Sequence, residues 1–530
     1  MITSSAVTGK HSFICTVIAS VLSVCLFCCA PLPERSEQAL QLAPNEGRVI
    51  LYLNGPEKAS LDVSFNLTKI EMVSEDGTPR QLLDAPQNIG SHSMAGRQIH
   101  LSEKGLPEGK YKMLRLFAEK AAIRKAGRTS DLSLPEAGIE CPVEVTVARS
   151  RITSLFLHWN ADASVTDGYR FTPVFEVRGV TPQLSSVLAF VTNEESDSVT
   201  VINRQMGQVV ANALVGKRPK GIAAGTVKER FMVYVANAGS DSVSVIDPTT
   251  NNVDKEISVR FGRSAEGIAV AAATVANEFV FVANYGSNTV SIISAQSSRE
   301  FEKVDVMNGP IAVAADPPAD EFLNSRLIDA RDSSLLRDFR EQFFFVYVAN
   351  RNSNTVSVLK IRAATGRCEE VINLKVEWSP LALSVDAQRA RVYVANYGSD
   401  RLSVIDILKL IKGQKEAAVR TLWNLGTTIT AVLPDPALDR VYLLRESAGE
   451  IVIIRPPTES DFARTGVTPI IGTIRVGRAP RAMTFDPEAG KIYVLNRGDG
   501  TVSVIDRTTR REEKVIPTGK KPYGITLFPF

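Results

Sequence analysis

At 530 residues the chain is long enough for more than one domain and for sizeable buried cores. The formal net charge is only +3 and the charged fraction an ordinary 22%, which excludes a global pull toward nucleic acid or acidic surfaces. Apolar residues make up 44% of the chain and β-branched and aromatic types are plentiful, so extended disorder is excluded as well.

At the N-terminus, Lys10 and His11 precede an uncharged apolar run, SFICTVIASVLSVCLFC (12–28), and CCAPLPERSEQ then turns polar. That order of charge, apolar stretch and polar exit is an export signal, and the run is short for a membrane span. LFCC (26–29) resembles the bacterial lipobox, with Leu three positions ahead of the Cys that receives lipid. The resemblance implies a signal peptide over 1–28, lipid on Cys29, and an exported protein held at the cell envelope through that lipid, either periplasmic or on the surface. The same resemblance implies that Ala30, in place of Asp, favours the outer membrane in a cell that has one. An ordinary Cys-rich secretory signal is the alternative. Four of the six cysteines lie in this segment, leaving Cys141 and Cys368, so the chain encodes no disulfide framework. Residues 29–46, polar and Pro-bearing, read as a tether.

From 47 to 180 the pattern changes. GRVILYLNG (47–55), LDVSFNLTKIEMVSEDG (61–77), KYKMLRLFAEKAAI (110–123), VEVTVARSRITSLFLHWN (143–160) and YRFTPVFEVRGV (169–180) read as strands between Asn-Gly, Asp-Gly and Pro-Glu-Gly turns. An antiparallel β-sandwich is expected. LPEGKYKMLRL (106–116) and FTPVFEV (171–177) resemble a domain of unknown function found near the N-termini of bacterial lipoproteins, with prealbumin-like architecture.

Beyond 187 one pattern repeats. VYVANAGSDSVSVID (233–247) returns as VYVANYGSDRLSVID (392–406), and related copies begin near 189, 280, 346, 441 and 492. The Asn falls at 193, 237, 284, 350, 396 and 496, with Arg445 in its place once; the spacing is about 44–51 residues with one interval of 66. Such a period signals the blades of a β-propeller. Each copy is two β-branched strands around a turn in which Asn, Gly, Ser and Asp supply left-handed conformations and side-chain-to-backbone hydrogen bonds. A third strand follows, then a fourth rich in small residues, as expected for innermost strands crowded round an axis. Because the series opens on a hairpin and ends on an inner strand, KPYGITLFPF (521–530), the last strand must complete the first of seven blades. The expected fold is therefore all-β, a seven-bladed propeller over 187–530 preceded by the sandwich. An insertion at 317–342, with Leu323, Leu327, Leu335, Leu336 and Phe339 at helical spacing, reads as a short amphipathic excursion, packed on the propeller's side or offered as a partner-binding knob.

The copies resemble the YVTN-repeat family of seven-bladed propellers, the surface-layer and quinoprotein-like group. The resemblance covers about 187 to 530 and implies the fold; it implies little about function, since many functions share propellers.

Chemistry is sparse. None of the four His lies in the propeller, no Cys/His cluster has metal spacing, and no haem, nucleotide or nucleophile motif is present, so no catalytic residue, metal or cofactor is assigned. Asp197, Asp241 and Asp400 sit one per blade in equivalent turns, which turn-making explains. Arg497-Gly498-Asp499 is the last blade's version of that turn rather than an integrin-type tripeptide. The loops leading into the inner strands are basic, with Arg218, Arg263, Arg478, Arg481 and Lys521 as candidate ligand-binding residues. Convergent positive charge over a concave mouth attracts anions; solvated loop residues neutralised by Glu194, Asp197, Asp241 and Asp400 are the alternative. The expected function is an envelope-anchored binding or scaffold module for an anionic envelope polymer or a protein, with no nucleic-acid partner. The alternative is an exported propeller enzyme or enzyme subunit, such as a lactonase-like hydrolase or the partner of a dehydrogenase.

Overall fold

The computed structural model describes residues 42–135, 137–181, 183–227, 230–274, 277–463 and 469–527. The signal segment, Cys29 and most of the tether lie outside them.

Two sheets precede the propeller. In one, Val174–Arg178, Ile152–Asn160, Glu46–Asn54 and Gln98–Pro107 lie side by side; the other is built on the long pair Asp62–Ser74 and Gly109–Lys125. Their facing side chains, among them Leu51, Leu53, Phe65, Leu114 and Trp159, form one core. The expected sandwich is present but is not wholly antiparallel, because Glu46–Asn54 pairs with Ile152–Asn160 in parallel. The stretch 143–160, which reads as one strand, is two: Ile139–Val147 in one sheet and Ile152–Asn160 in the other. The chain turns between them, with Ser150 at φ 56°, and this crossover between sheets delivers the second strand in parallel.

The strand Glu46–Asn54 explains its own run of consecutive apolar residues. Val49, Leu51 and Leu53 enter the sandwich core, while Ile50 and Tyr52 pack with Phe156 against Val191, Val209 and Tyr493 of the propeller. A strand buried on both faces cannot alternate with charges. Polar ties fix the same junction. Gln98 accepts from the Val209 N–H (2.8 Å) and donates to its carbonyl (3.1 Å), and Asn212 donates to Tyr52 Oη and Ser154 Oγ, both at 3.1 Å.

Residues 188–527 form seven four-stranded antiparallel sheets. Blade 2 runs outward in chain order through Pro219–Val227, Arg230–Asn237, Ser242–Asp247 and Asn252–Ser258, and blades 3 to 7 repeat this from inner strands starting at Ala265, Pro310, Pro380, Ile429 and Pro480. Blade 1 differs: its inner strand, Pro522–Leu527, comes from the C-terminal end and pairs with Leu188–Asn193, Ala189 opposite Leu527. The ring closes as the repeat order requires, so that blade 1 has its inner strand like the others. Small residues at the inner strands answer to crowding. A Cβ on Gly221 would lie 2.6 Å from the Glu266 carbonyl oxygen of the next blade, and one on Gly267 2.6 Å from that of Ile311.

The insertion holds two helices, Ala319–Leu323 and Ala330–Arg340, which bury Phe322 and Leu336 against Phe345, Val392 and Leu410 on the flank of blades 4 and 5. Where the inner strands end, away from their N-terminal mouth, buried aspartates recur. Asp435 accepts from Arg507 of blade 7 (2.9 and 3.0 Å), Asp486 pairs with Arg204 of blade 1, and Asp316 accepts from Arg340 (3.0 Å) and from Tyr347 (3.0 Å). Cys141 is buried in the sandwich core and Cys368 is half-buried in blade 4; neither is bonded to another cysteine.

Candidate functional site

The repeat builds the propeller's mouth in a regular way. The signature Asn is buried and spans its hairpin: Asn237 donates to Ser242 (3.2 Å) and Ser244 (2.8 Å), and Asn284 and Asn496 do the same in their blades. It is not the left-handed residue. That conformation falls four positions later, at Asp197 (φ 46°), Asp241 (φ 50°), Asn288 (φ 57°) and Asn354 (φ 56°). Each of these side chains accepts a backbone N–H from the next blade, from Arg218 (2.8 Å), Ser264 (2.6 Å), Gly309 (3.0 Å) and Ser379 (2.9 Å) respectively. The blade aspartates are turn formers and ties between neighbours.

The residue ahead of every inner strand also has positive φ, from 46° at Ala479 to 73° at Gly309. Its carbonyl accepts the N–H of the residue that follows the signature Asn, for example Tyr285 to Ser264 (2.9 Å), Arg351 to Gly309 (2.8 Å) and Arg497 to Ala479 (3.1 Å). One bond per blade thus locks two side chains at the axis: the second residue of the inner strand and the residue after the Asn. These two tiers line a cavity of about 380 Å³.

The tiers are not uniform. On blades 3 to 5, Ile311 and Leu381 pack with Tyr285 and Tyr397 as an apolar wall. On blades 7, 1, 2 and 3 the wall is charged and largely self-neutralised. Glu194 accepts from Arg497 (2.6 Å) and Arg218 (3.0 Å), and Glu266 takes Lys220 with both oxygens (2.7 Å). Burial alone would raise the Glu194 pKa; the hydrogen bonds from Arg497 and Arg218 and the charge of Lys220 outweigh it and hold the carboxyl below its ordinary value.

Two guanidiniums in the cavity make no ion pair among the described residues. Arg481 donates to Tyr523 Oη (2.8 Å) and to the Thr430 carbonyl (3.3 Å) and lies 4.3 Å from the Tyr523 ring centroid. Arg351 donates to Ser379 Oγ (3.0 Å) and lies 5.7 Å from the Tyr397 ring centroid. Both act on one phenol: the Tyr397 pKa is raised, first by its hydrogen bond to Glu446, while the charges of Arg351 and Arg481 oppose the rise. Two arginines with neutral partners therefore converge on a concave space that carries an apolar wall, an arrangement able to receive an anion bidentately.

Of the residues expected from sequence, Arg481 lines the cavity. Arg218 stands at the rim, paired with Glu194, and Arg478 is exposed and paired with Asp499 (2.5 Å). Arg263 is exposed on its loop, and Lys521 is half-buried with its carbonyl accepting from Glu194 N–H (3.1 Å). The mouth is accordingly less basic than a count of loop residues implies, since those residues precede the strand and lie outside the ring. Arg351, Arg497, Tyr285, Tyr397 and Glu446 were missed. Their signal is internal: the residue after the Asn reads Glu, Ala, Tyr, Arg, Tyr, Glu and Arg across seven copies whose flanks hardly change.

No protein-family model matches the chain. It is similar, at 23% identity over 340 residues, to the seven-bladed beta-propeller protein Rv1057 of Mycobacterium tuberculosis, covering 62% of this chain and 81% of that one. Among solved structures it resembles a functionally unknown protein from Desulfotomaculum acetoxidans (10% identity, TM-score 0.50, 64% of this chain and 99% of that one). It also resembles the Kuenenia stuttgartiensis hydrazine synthase (17% identity, TM-score 0.48, 61% and 93%). At these identities the likeness is one of fold, a seven-bladed β-propeller.

Proposed function

We propose that the protein is an exported, lipid-anchored envelope protein whose propeller mouth binds an anionic envelope polymer or the acidic surface of a protein. The observation that carries this reading is the pair Arg351 and Arg481, held by neutral partners beside an apolar wall in a cavity of about 380 Å³. Guanidiniums that lack a carboxylate in a concave, low-dielectric space favour an incoming one. The cavity's own acids support binding over catalysis: Glu194 and Glu266 are ion-paired and Glu446 is bonded to Tyr397, so each is engaged.

The test is capture of polygalacturonate against neutral dextran by the full chain in detergent. Wild type should retain the anionic polymer, and Arg351→Met with Arg481→Met should lose it. Lactone turnover without capture would overturn the binding reading in favour of an enzyme. Anchoring is tested separately by palmitate labelling, which Cys29→Ala should abolish; equal labelling would refute the lipid.

A further inference from the structure

Resting on that reading, we infer that the bound polymer is a uronic-acid polysaccharide, its sugar faces stacked on Trp378 and Phe261 while its carboxylates meet Arg351 and Arg481. Three large apolar side chains stand exposed beside the mouth, Phe261 at 94%, Trp378 at 69% and Met307 at 39%. All three sit in the loops that lead into inner strands, on the consecutive blades 3, 5 and 4, and Met307 and Trp378 stand directly before the strands that carry Ile311 and Leu381 of the apolar wall. The loops on blades 7, 1 and 2 carry Arg478, Lys520 and Lys217 instead, and the blade-3 loop carries Arg263 beside Phe261. The rim is therefore apolar over blades 3 to 5 and basic over blades 7, 1, 2 and 3, the two characters meeting at blade 3.

The aromatic arc is held rather than loose. The Trp378 carbonyl accepts from Gly398 N–H (3.0 Å), and a Cβ on Gly398 would come within 3.2 Å of Trp378 Cβ, so the tryptophan lies close over the neighbouring turn. Its neighbour Glu377 is fixed by Arg401 (2.8 Å). Phe261 has φ 57°, a left-handed conformation that a bulky aromatic seldom takes, and Lys303 Nζ lies 5.9 Å from its ring.

This pattern selects the ligand. Single aromatic rings separated by charges do not merge into the contiguous apolar patch of a protein-docking face. They do match a chain of pyranose rings, each with an apolar C–H face for stacking and a carboxylate at its edge for a guanidinium. A polymer with charge but no rings would use one arc of the mouth; a uronate uses both.

The experiment titrates three probes into the full chain: polygalacturonate, poly-glutamate, and vesicles of anionic phospholipid. Wild type should prefer polygalacturonate, with Trp emission shifting to the blue as Trp378 is covered. Phe261→Ala with Trp378→Ala should weaken polygalacturonate binding about tenfold without changing the melting temperature, and Trp378→Phe should restore most of it. Unchanged affinity in the double alanine variant would overturn the stacking inference while leaving the anion-binding mouth intact. Equal binding of poly-glutamate, or Phe261- and Trp378-dependent binding of vesicles in place of the uronate, would overturn it too. Failure of the wild type to bind any of the three would instead refute the binding function itself.

Discussion

Carboxylates and guanidiniums meet at both ends of the inner strands of blades 4 to 7, with opposite results. At the far end Asp435 and Asp486, each 1% exposed, take arginines from the following blade, Arg507 and Arg204, while Asp316 and Asp386 take Arg340 and Arg389 from their own. At the mouth the residues differ from blade to blade, and two arginines face the cavity with neutral partners. Repetition with burial marks what closes a ring; variation at one fixed position marks what a ring presents.

That contrast can be broken from the structural side first. Deleting residues 521–530 removes the strand Pro522–Leu527 and exposes the edge of Leu188–Asn193. The truncated chain should aggregate or lose cooperative melting, as calorimetry would show; an unchanged transition would contradict the closure. Next in size, Asp486→Ala removes the buried carboxylate that Arg204 meets between blades 7 and 1. A loss of about 3–5 kcal/mol in urea unfolding is expected, with polymer binding by the folded fraction unaffected.

A third group shows what an unpaired buried acid costs. Glu278 accepts one bond, from Thr226 N–H (2.8 Å), while its other oxygen is buried without a partner, and burial pushes its pKa up to about 7 despite that bond. Its folded-state value is raised, so its contribution to stability is complete below the ordinary carboxylate range and is lost as pH rises through about 7. Glu278→Gln should therefore gain about 1 kcal/mol relative to wild type at pH 8 and nothing at pH 5, measured by urea unfolding at both. The smallest effect belongs to the mouth. Arg351→Met with Arg481→Met should change stability by no more than about 0.5 kcal/mol while removing capture of polygalacturonate.

The propeller was legible because a period near 45 residues repeats the hairpin, and because an unfinished first blade together with a surplus last strand admits one topology. The junction with the sandwich was not: Ile50 and Tyr52 look like any alternate positions of a buried strand, and only the fold shows that they leave one core for another. Arg481 was legible as a basic residue near an inner strand. Arg351 was not, because the turn residues around it, RNSN, hide the fact that the position after the Asn points at the axis. Loop charge alone does not show that Arg218 and Arg478 are paired, because Glu194 and Asp499 come close only after the blades assemble.

The most direct measurement is a hydrogen-exchange footprint of the full chain with and without polygalacturonate. Binding in the mouth predicts added protection in the loops leading into the inner strands of blades 3 to 7, strongest at 377–381 and 478–481, with none in the sandwich. Protection confined to the sandwich sheets, or to the helices Ala319–Leu323 and Ala330–Arg340, would contradict the account and move the site off the propeller mouth.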